Sequence, residues 1–328
     1  MPLGRCQACL ESLVAPKVGQ KHLPLRAPKV LIFDFLLETH MRQLNYDLKQ
    51  LCERNRDGSN STQAGRERIL TQIANQLLGL KYRNLTAQGL KTKHIDALVQ
   101  KWMQDGLTAG TIKNRMAHVR WWSEKINKPS IIAKRNDHFG IDHRVYVTNA
   151  SKAQQLDLQK LESITDPYVK LSLRLQEAFG LRREESIKFI GAWADQNDKI
   201  VLKASWCKGG REREIPIRNE QQRNVLNEVK AFAKGKSLIP VTLTYVQQLR
   251  RYEDHTSKAG LCKMHGLRHA FAQQRYYELT GRHAPAAGGK TSKELTKEEK
   301  QLDREARLII SLELGHEREQ ITAIYLGR

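Results

Sequence analysis

Five polar patches strung along the second half of the chain constrain its fold more than any other feature. They are Gly180-Leu181-Arg182-Arg183-Glu184-Glu185, Cys207-Lys208-Gly209-Gly210, His265-Gly266-Leu267-Arg268, Leu314-Gly315-His316 and Tyr325. A fold that uses them jointly must bring segments distant in sequence to one cleft. Arg182 and Arg268 each follow a Gly-Leu pair at the edge of an expected helix, which leaves the guanidinium free to point into such a cleft. Lys208 stands in a glycine turn with reach, and Glu185 is placed to hold part of the basic cluster.

Apolar spacing supplies the framework. Residues 1–40 read as a poorly specified leader with one apolar burst, Leu31 to Leu37. Met41 stands directly before the first helical pattern, so 1–40 is either an upstream extension or a helix packing on the first domain. From 41 to 127 the periodicity is helical. Ile69, Leu70, Ile73, Leu77 and Leu78 form one apolar face, and Thr108 caps a stretch with Ile112, Met116, Val119, Trp122 and Ile126 as its buried stripe. Pro129 ends that region. Residues 128–147, with Lys134, Arg135, His138, His143 and Arg144, read as a basic linker of the kind a protein encircling a duplex would use. In 148–328, Leu158 to Ile164 and Val169 to Phe179 read as helices, the second opened by Asp166-Pro167. Ile200 to Leu202 and Ile215 to Ile217 read as strands of a hairpin around Lys208-Gly209-Gly210. The remainder is helical except for 281–300, an insertion or mobile loop marked by Pro285 to Lys290. The expected fold class is mainly α with a small β-sheet: an all-α N-terminal domain followed by an α+β domain.

Charge narrows the partner. The chain carries 56 Lys+Arg against 35 Asp+Glu, a formal net charge of +21. That excess calls for a polyanion, with nucleic acid ahead of a membrane surface. No apolar run approaches the roughly 20 residues of a spanning helix, and the charge is dispersed instead of lying on one amphipathic helix. The exposed side of the 108–126 stretch offers Lys113, Asn114, Arg120 and Lys125, which with Arg135 are the candidate DNA contacts. A solvated helix face is the ordinary alternative. The five cysteines, odd in number, read as reduced thiols in a cytoplasm. Cys6-Gln7-Ala8-Cys9 has zinc-knuckle spacing without a second ligand pair, so no metal is expected there, nor any cofactor.

The patches suit one chemistry. Cleaving a DNA strand through a phenol needs fixed cations aimed at the non-bridging phosphate oxygens, and arginine offers two parallel N–H donors that stay charged. Arg182 and Arg268 are the candidates. Tyr325 would attack, with its proton going to a neutral histidine, and Lys208 would protonate the leaving 5′-oxygen. His265 and His316 would bind phosphate or act as acid and base. Each patch alone has a plainer reading: a solvated helix end for Arg182, an exposed turn for Lys208, structural histidines, and packing for Tyr325 as for Tyr276 and Tyr277.

Taken in order, Gly-Leu-Arg-x-x-Glu, Lys-Gly-Gly, His-x-x-Arg, Leu-Gly-His and Tyr resemble the tyrosine recombinase (phage-type integrase) family, most of all the integrases of integrative and conjugative elements. The nine positions from His316 to Tyr325 resemble the family's short helical link to its nucleophile. The resemblance implies a catalytic set of Arg182, Lys208, His265, Arg268, His316 and Tyr325. It also implies a core-binding domain over 41–127 and a catalytic domain over 148–328, with a 3′-phosphotyrosyl intermediate. Further implications are double-stranded attachment-site DNA as partner, a homotetramer on DNA, and no cofactor. The interval from His265 to His316 is longer than the family's, with 281–300 taking up the excess. Only three residues follow Tyr325, so docking through a long tail is not expected. A type IB topoisomerase-like enzyme and a non-catalytic DNA-binding regulator are the alternatives.

Overall fold

The computed structural model describes residues 43–316 and 318–328. The leader, the Leu31 to Leu37 burst, Met41 and the Cys6/Cys9 pair lie outside the described residues. The chain divides into two compact units, Met1–Arg144 and Val145–Arg328.

The first unit is helical: α1 (residues 43–54), α2 (Asn60–Gly79), α3 (Thr92–Gln104) and α4 (Ala109–Lys125). Leu70, Ile73 and Leu77 of α2 bury the apolar face read from the sequence, while Ile69 and Leu78 are half-buried at its margin. The α4 helix starts where Thr108 caps it, the hydroxyl accepting from Thr111 N at 3.3 Å. Its stripe of Ile112, Met116, Val119 and Trp122 is buried as expected. Trp102 and Trp122 are fully buried, and each finds a partner for its indole N–H, in Gln76 Oε1 at 2.8 Å and Ala87 O at 3.0 Å. Paired in this way, each contributes the ~1.5–3 kcal/mol of a buried large apolar side chain with no desolvation cost for the N–H.

Residues 128–144 do not run free from this core. Ile132 and Ile141 are buried in it, with Ile131 and Phe139 packed alongside. Two short 3-10 turns, Pro129–Ile131 and Asn136–Phe139, carry the chain back over α4. A segment rich in cations can still fold down when apolar residues recur among them.

The second unit contains α5 (Leu158–Ser163), α6 (Pro167–Phe179), α7 (Arg183–Lys188), α8 (Gly191–Ala194), β1 (Lys199–Leu202), β2 (Arg213–Pro216), α9 (Glu220–Ala233), α10 (Tyr245–Lys258), α11 (His265–Thr280), α12 (Lys297–Glu313) and α13 (Glu319–Leu326). Asp166 caps α6 by accepting from Tyr168 N and Val169 N at 2.8 and 3.2 Å, with Pro167 in the first turn. The two strands pair antiparallel, Lys199 opposite Pro216 and Leu202 opposite Arg213. Their connection is no tight turn. Residues 203–212 pass through a 3-10 turn, Ala204–Trp206, whose Trp206 is buried beside Phe189 and Trp193. That anchor leaves Lys208-Gly209-Gly210 at the tip, with both glycines at positive φ, +88° and +68°.

The segment 281–300, expected as an insertion or mobile loop, is packed down instead. Ala284, Pro285, Ala286 and Leu295 are buried, and Arg282 and Lys290 both pair with Glu299. A Cβ at Gly289 would come within 1.7 Å of His283 O, and one at Gly327 would meet Ala286 N at 2.8 Å. The extra length thus lies against the end of α13, the helix that carries Tyr325.

Candidate active site

Five of the six expected catalytic residues line one open cavity of about 920 Å³: Arg182, Lys208, His265, His316 and Tyr325. The sixth, Arg268, is fully buried behind it, in contact with Tyr325. The fold therefore gathers the N-terminal edge of α7, the β1–β2 connection, the first turn of α11 and the α12–α13 region, as joint use of the patches demands.

Behind the cavity wall, Arg268 interlocks with backbone carbonyls. Arg268 donates from Nη1 to Gly180 O at 2.5 Å, from Nη2 to Leu314 O, and from Nε to the Tyr325 hydroxyl at 3.3 Å. Gly180 ends α6 at φ +59°, and a Cβ there would lie 2.6 Å from the Phe271 ring. Only glycine lets that carbonyl turn to meet the guanidinium. Burial lowers the pKa of Arg268 to about 10, with the charges of Arg182 and Arg213 adding to the effect. It remains charged at neutral pH.

Glu185 is completely buried on α7 and accepts four hydrogen bonds. Two come from Arg182, N at 2.6 Å and Nη1 at 2.7 Å; two come from Arg213, Nη1 at 2.8 Å and Nη2 at 2.7 Å. Burial pushes its carboxyl upward, but the hydrogen bonds and charge of Arg213, with Arg182 and Arg268 beyond, outweigh it and hold the pKa at about 2. The expected holding role of Glu185 is thus visible in the geometry around Arg182.

Around the phenol stand three imidazoles. His265 Nε2 lies 3.5 Å from the Tyr325 hydroxyl, and the rings of His269 and His316 lie 4.6 and 5.6 Å from the Tyr325 ring. Burial first, then the charges of Arg268 and Arg182, lower the pKa of His265. The same causes take His316 down to about 3, and its Nε2 is buried without a protein partner. All are neutral at pH 7, so each offers an acceptor lone pair. The end of α13 is tied down by Gln273 Nε2 to Tyr325 O at 3.0 Å and Arg307 Nη1 to Gly327 O at 2.9 Å. Tyr276 is buried and donates to Asp303 at 2.6 Å, while Tyr277 is exposed against His283.

The candidate DNA contacts divide. Lys113 is half-buried and Asn114 exposed on α4. Arg120 turns inward, donating to Ala133 O at 3.2 Å and Asn136 Oδ1 at 2.9 Å. Lys125 pairs with Asp57 at 2.9 Å, and Arg135 with Asp137 at 3.1 Å. Two close residues escaped the sequence reading. His269 follows His-x-x-Arg directly and was eclipsed by it; Arg213 was one cation among many near the hairpin.

Residues 41–128 match the family described as phage integrase, N-terminal, and residues 143–274 match the integrase family. The chain belongs to the phage-type integrases, the tyrosine recombinases, a class of enzyme that breaks and rejoins DNA strands at specific sites. Solved structures share its fold. A lambda integrase dimer bound to a COC′ core site is 16% identical, with a TM-score of 0.53 over 94% of this chain and 83% of that one. The XerH site-specific recombinase in a post-cleavage complex with palindromic difH substrate is 18% identical, TM-score 0.53, over 87% and 81%. The Tn1549 transposon integrase in complex with transposon right end DNA is 14% identical, TM-score 0.51, over 88% and 95%. Among proteins of curated function, none matches the sequence.

Proposed function

We propose that the chain is a site-specific DNA recombinase in which Tyr325 is the nucleophile, and that it integrates or excises a mobile element. The observation that carries this reading is the setting of the phenol: its hydroxyl takes a hydrogen bond from buried Arg268 and faces His265 at the edge of a cationic cavity. The Tyr325 oxygen bonds to phosphorus as the bond from phosphorus to the 5′-oxygen breaks. The phenol proton passes to neutral His265, and the departing 5′-oxygen takes a proton from Lys208, giving a 3′-phosphotyrosyl enzyme and a free 5′-hydroxyl. Arg182 and Arg268, with His316, stabilise the charge that grows on the non-bridging oxygens. Rejoining reverses each transfer, and the phosphotyrosyl bond retains the energy of the broken diester.

Attachment-site duplex DNA is the proposed partner, with Lys113 and Asn114 on α4 as contacts to it. A homotetramer is the proposed assembly, because a related fold is known as a lambda integrase tetramer bound to a Holliday junction. The Tn1549 structure, a transposon integrase, supports a mobile element as the substrate. No helix among the described residues is long and apolar enough to cross a membrane. The cytoplasm is the proposed location, supported by the proposed action on DNA.

The test is a covalent trap on a nicked attachment-site oligonucleotide, read on a denaturing gel. Wild-type protein should form an adduct and Tyr325→Phe none. Adduct persisting in the variant removes Tyr325 from the reaction.

A further inference from the structure

Arg213 lies on β2, is 7% exposed and does not line the cavity, yet its guanidinium touches three of the segments that build it. Both terminal nitrogens engage Glu185, the residue that fixes Arg182. Its Nε donates to Glu313 O at 2.9 Å. That carbonyl immediately precedes Leu314, whose own carbonyl accepts from Arg268, and two further residues lead to His316. Nη1 also lies 3.4 Å from Cys207 Sγ, beside Lys208. The fit is close: Gly315 has φ +65°, and a Cβ there would come within 2.8 Å of Arg213 Cδ. Three donors thus reach the start of α7, the end of α12 and the lysine-bearing connection at once.

We propose that Arg213 is the positioning residue of the phosphate-binding cations, holding Arg182 through Glu185 and the Leu314–His316 segment through Glu313. It touches no substrate. Its action is to fix where the two arginines meet the phosphate, and with it His316. Lysine cannot substitute, because one ammonium is a point donor and the contacts require a planar fork with donors on both edges. The inference rests on the proposed phosphotyrosyl chemistry, and its test is arranged to separate the two.

If Arg213 works through cations that neutralise the phosphate, its loss should matter only while the phosphate carries its charge. Single-turnover cleavage is therefore measured on two nicked substrates, one with the natural phosphodiester and one with an uncharged methylphosphonate at the cut position. Arg213→Lys should slow the natural substrate by on the order of 100-fold, the scale of a catalytic group misplaced by about 1 Å, and slow the methylphosphonate no more than about 3-fold, with DNA affinity unchanged. Should Arg213→Lys fail to fold, Arg213→Gln removes the guanidinium while Glu185 stays paired with Arg182, and the same contrast is expected of it. Equal slowing of both substrates, or no slowing of either, overturns the proposal. Wild-type protein that forms no adduct on either substrate, or adduct formed by Tyr325→Phe, instead overturns the phosphotyrosyl reading beneath it.

Discussion

Replacing Arg268 with lysine keeps the charge and removes the fork, which separates two explanations of why an arginine is buried there. The guanidinium spans Gly180 O, Leu314 O and the Tyr325 hydroxyl with three different nitrogens. A lysine ammonium can reach one of those carbonyls, leaving at least one buried acceptor without a partner, at about 1–3 kcal/mol. For a unit spanning Val145–Arg328, that corresponds to a fall in Tm of roughly 2–12 °C. The kinetic loss should be larger, because the Nε contact to the phenol and the aim at the phosphate go together; removing one such preorganised donor costs about 10²- to 10³-fold. The assay pairs a thermal melt with single-turnover adduct formation at saturating protein, and with a gel shift for affinity. Adduct formation should drop by that factor while affinity changes less than about threefold, since an interaction made in the transition state is not spent on binding. An Arg268→Lys protein that cleaves at the wild-type rate would refute the argument: it would show that charge alone suffices and that the carbonyl-anchored fork is incidental. A loss of affinity matching the loss of rate would refute it in the other direction, by making Arg268 a binding residue.

Three further outcomes are expected. Because burial lowers the pKa of His265 from its usual value, the proposed proton acceptor stays neutral to a pH below 6.5, so a single-turnover pH profile should show its acid limb displaced below that value; a limb at or above pH 6.5 contradicts the assignment of His265 as the acceptor. Stability follows the same sign for His316 and His269, whose folded pKa values fall to about 3 and about 4: it is fully present above pH 6.5 and lost as the pH drops from there, because the unfolded chain binds those protons first. Gly289→Ala should destabilise the second unit by about 1–3 kcal/mol through overpacking against His283 O, and should slow adduct formation with it, since the loop backs the end of α13. A melt unchanged from wild type would show that the segment gives way freely.

The parts of this fold legible in the sequence were those with a local cause. Thr108 and Asp166 announced helix starts because a capping side chain acts within three residues of itself, and the α2 and α4 stripes were visible because helical burial repeats along the chain. The patches that meet at the cavity could be read for a related reason: a phosphate needs particular side-chain chemistry, and few residue types supply it. What escaped depended on partners far away in sequence. Arg120 looks like a DNA contact on a helical wheel, but its partners, Ala133 and Asn136, belong to a segment that read as linker. Arg213 could not be distinguished from its basic neighbours until Glu313, a hundred positions on, was seen to accept from it. The segment 281–300 read as loose because of its run of small residues from Pro285 to Gly289, yet small residues are also what permits close packing, as Gly289 and Ala286 show.

The contrast between the two locked arginines and the lysine on its glycine tip also bears on direction. Arg182 and Arg268 are locked by carboxylate and carbonyl, whereas Lys208 sits exposed on a turn of two positive-φ glycines. On the proposed chemistry the same lysine surrenders a proton when a strand is cut and recovers it when a strand is joined, with the phosphate held in one unchanging cradle throughout. Such a centre has no ratchet. It lowers the barrier equally both ways, so whether an element enters or leaves its host must be decided by the topology and companions of the DNA brought to it, and not by the residues that do the cutting.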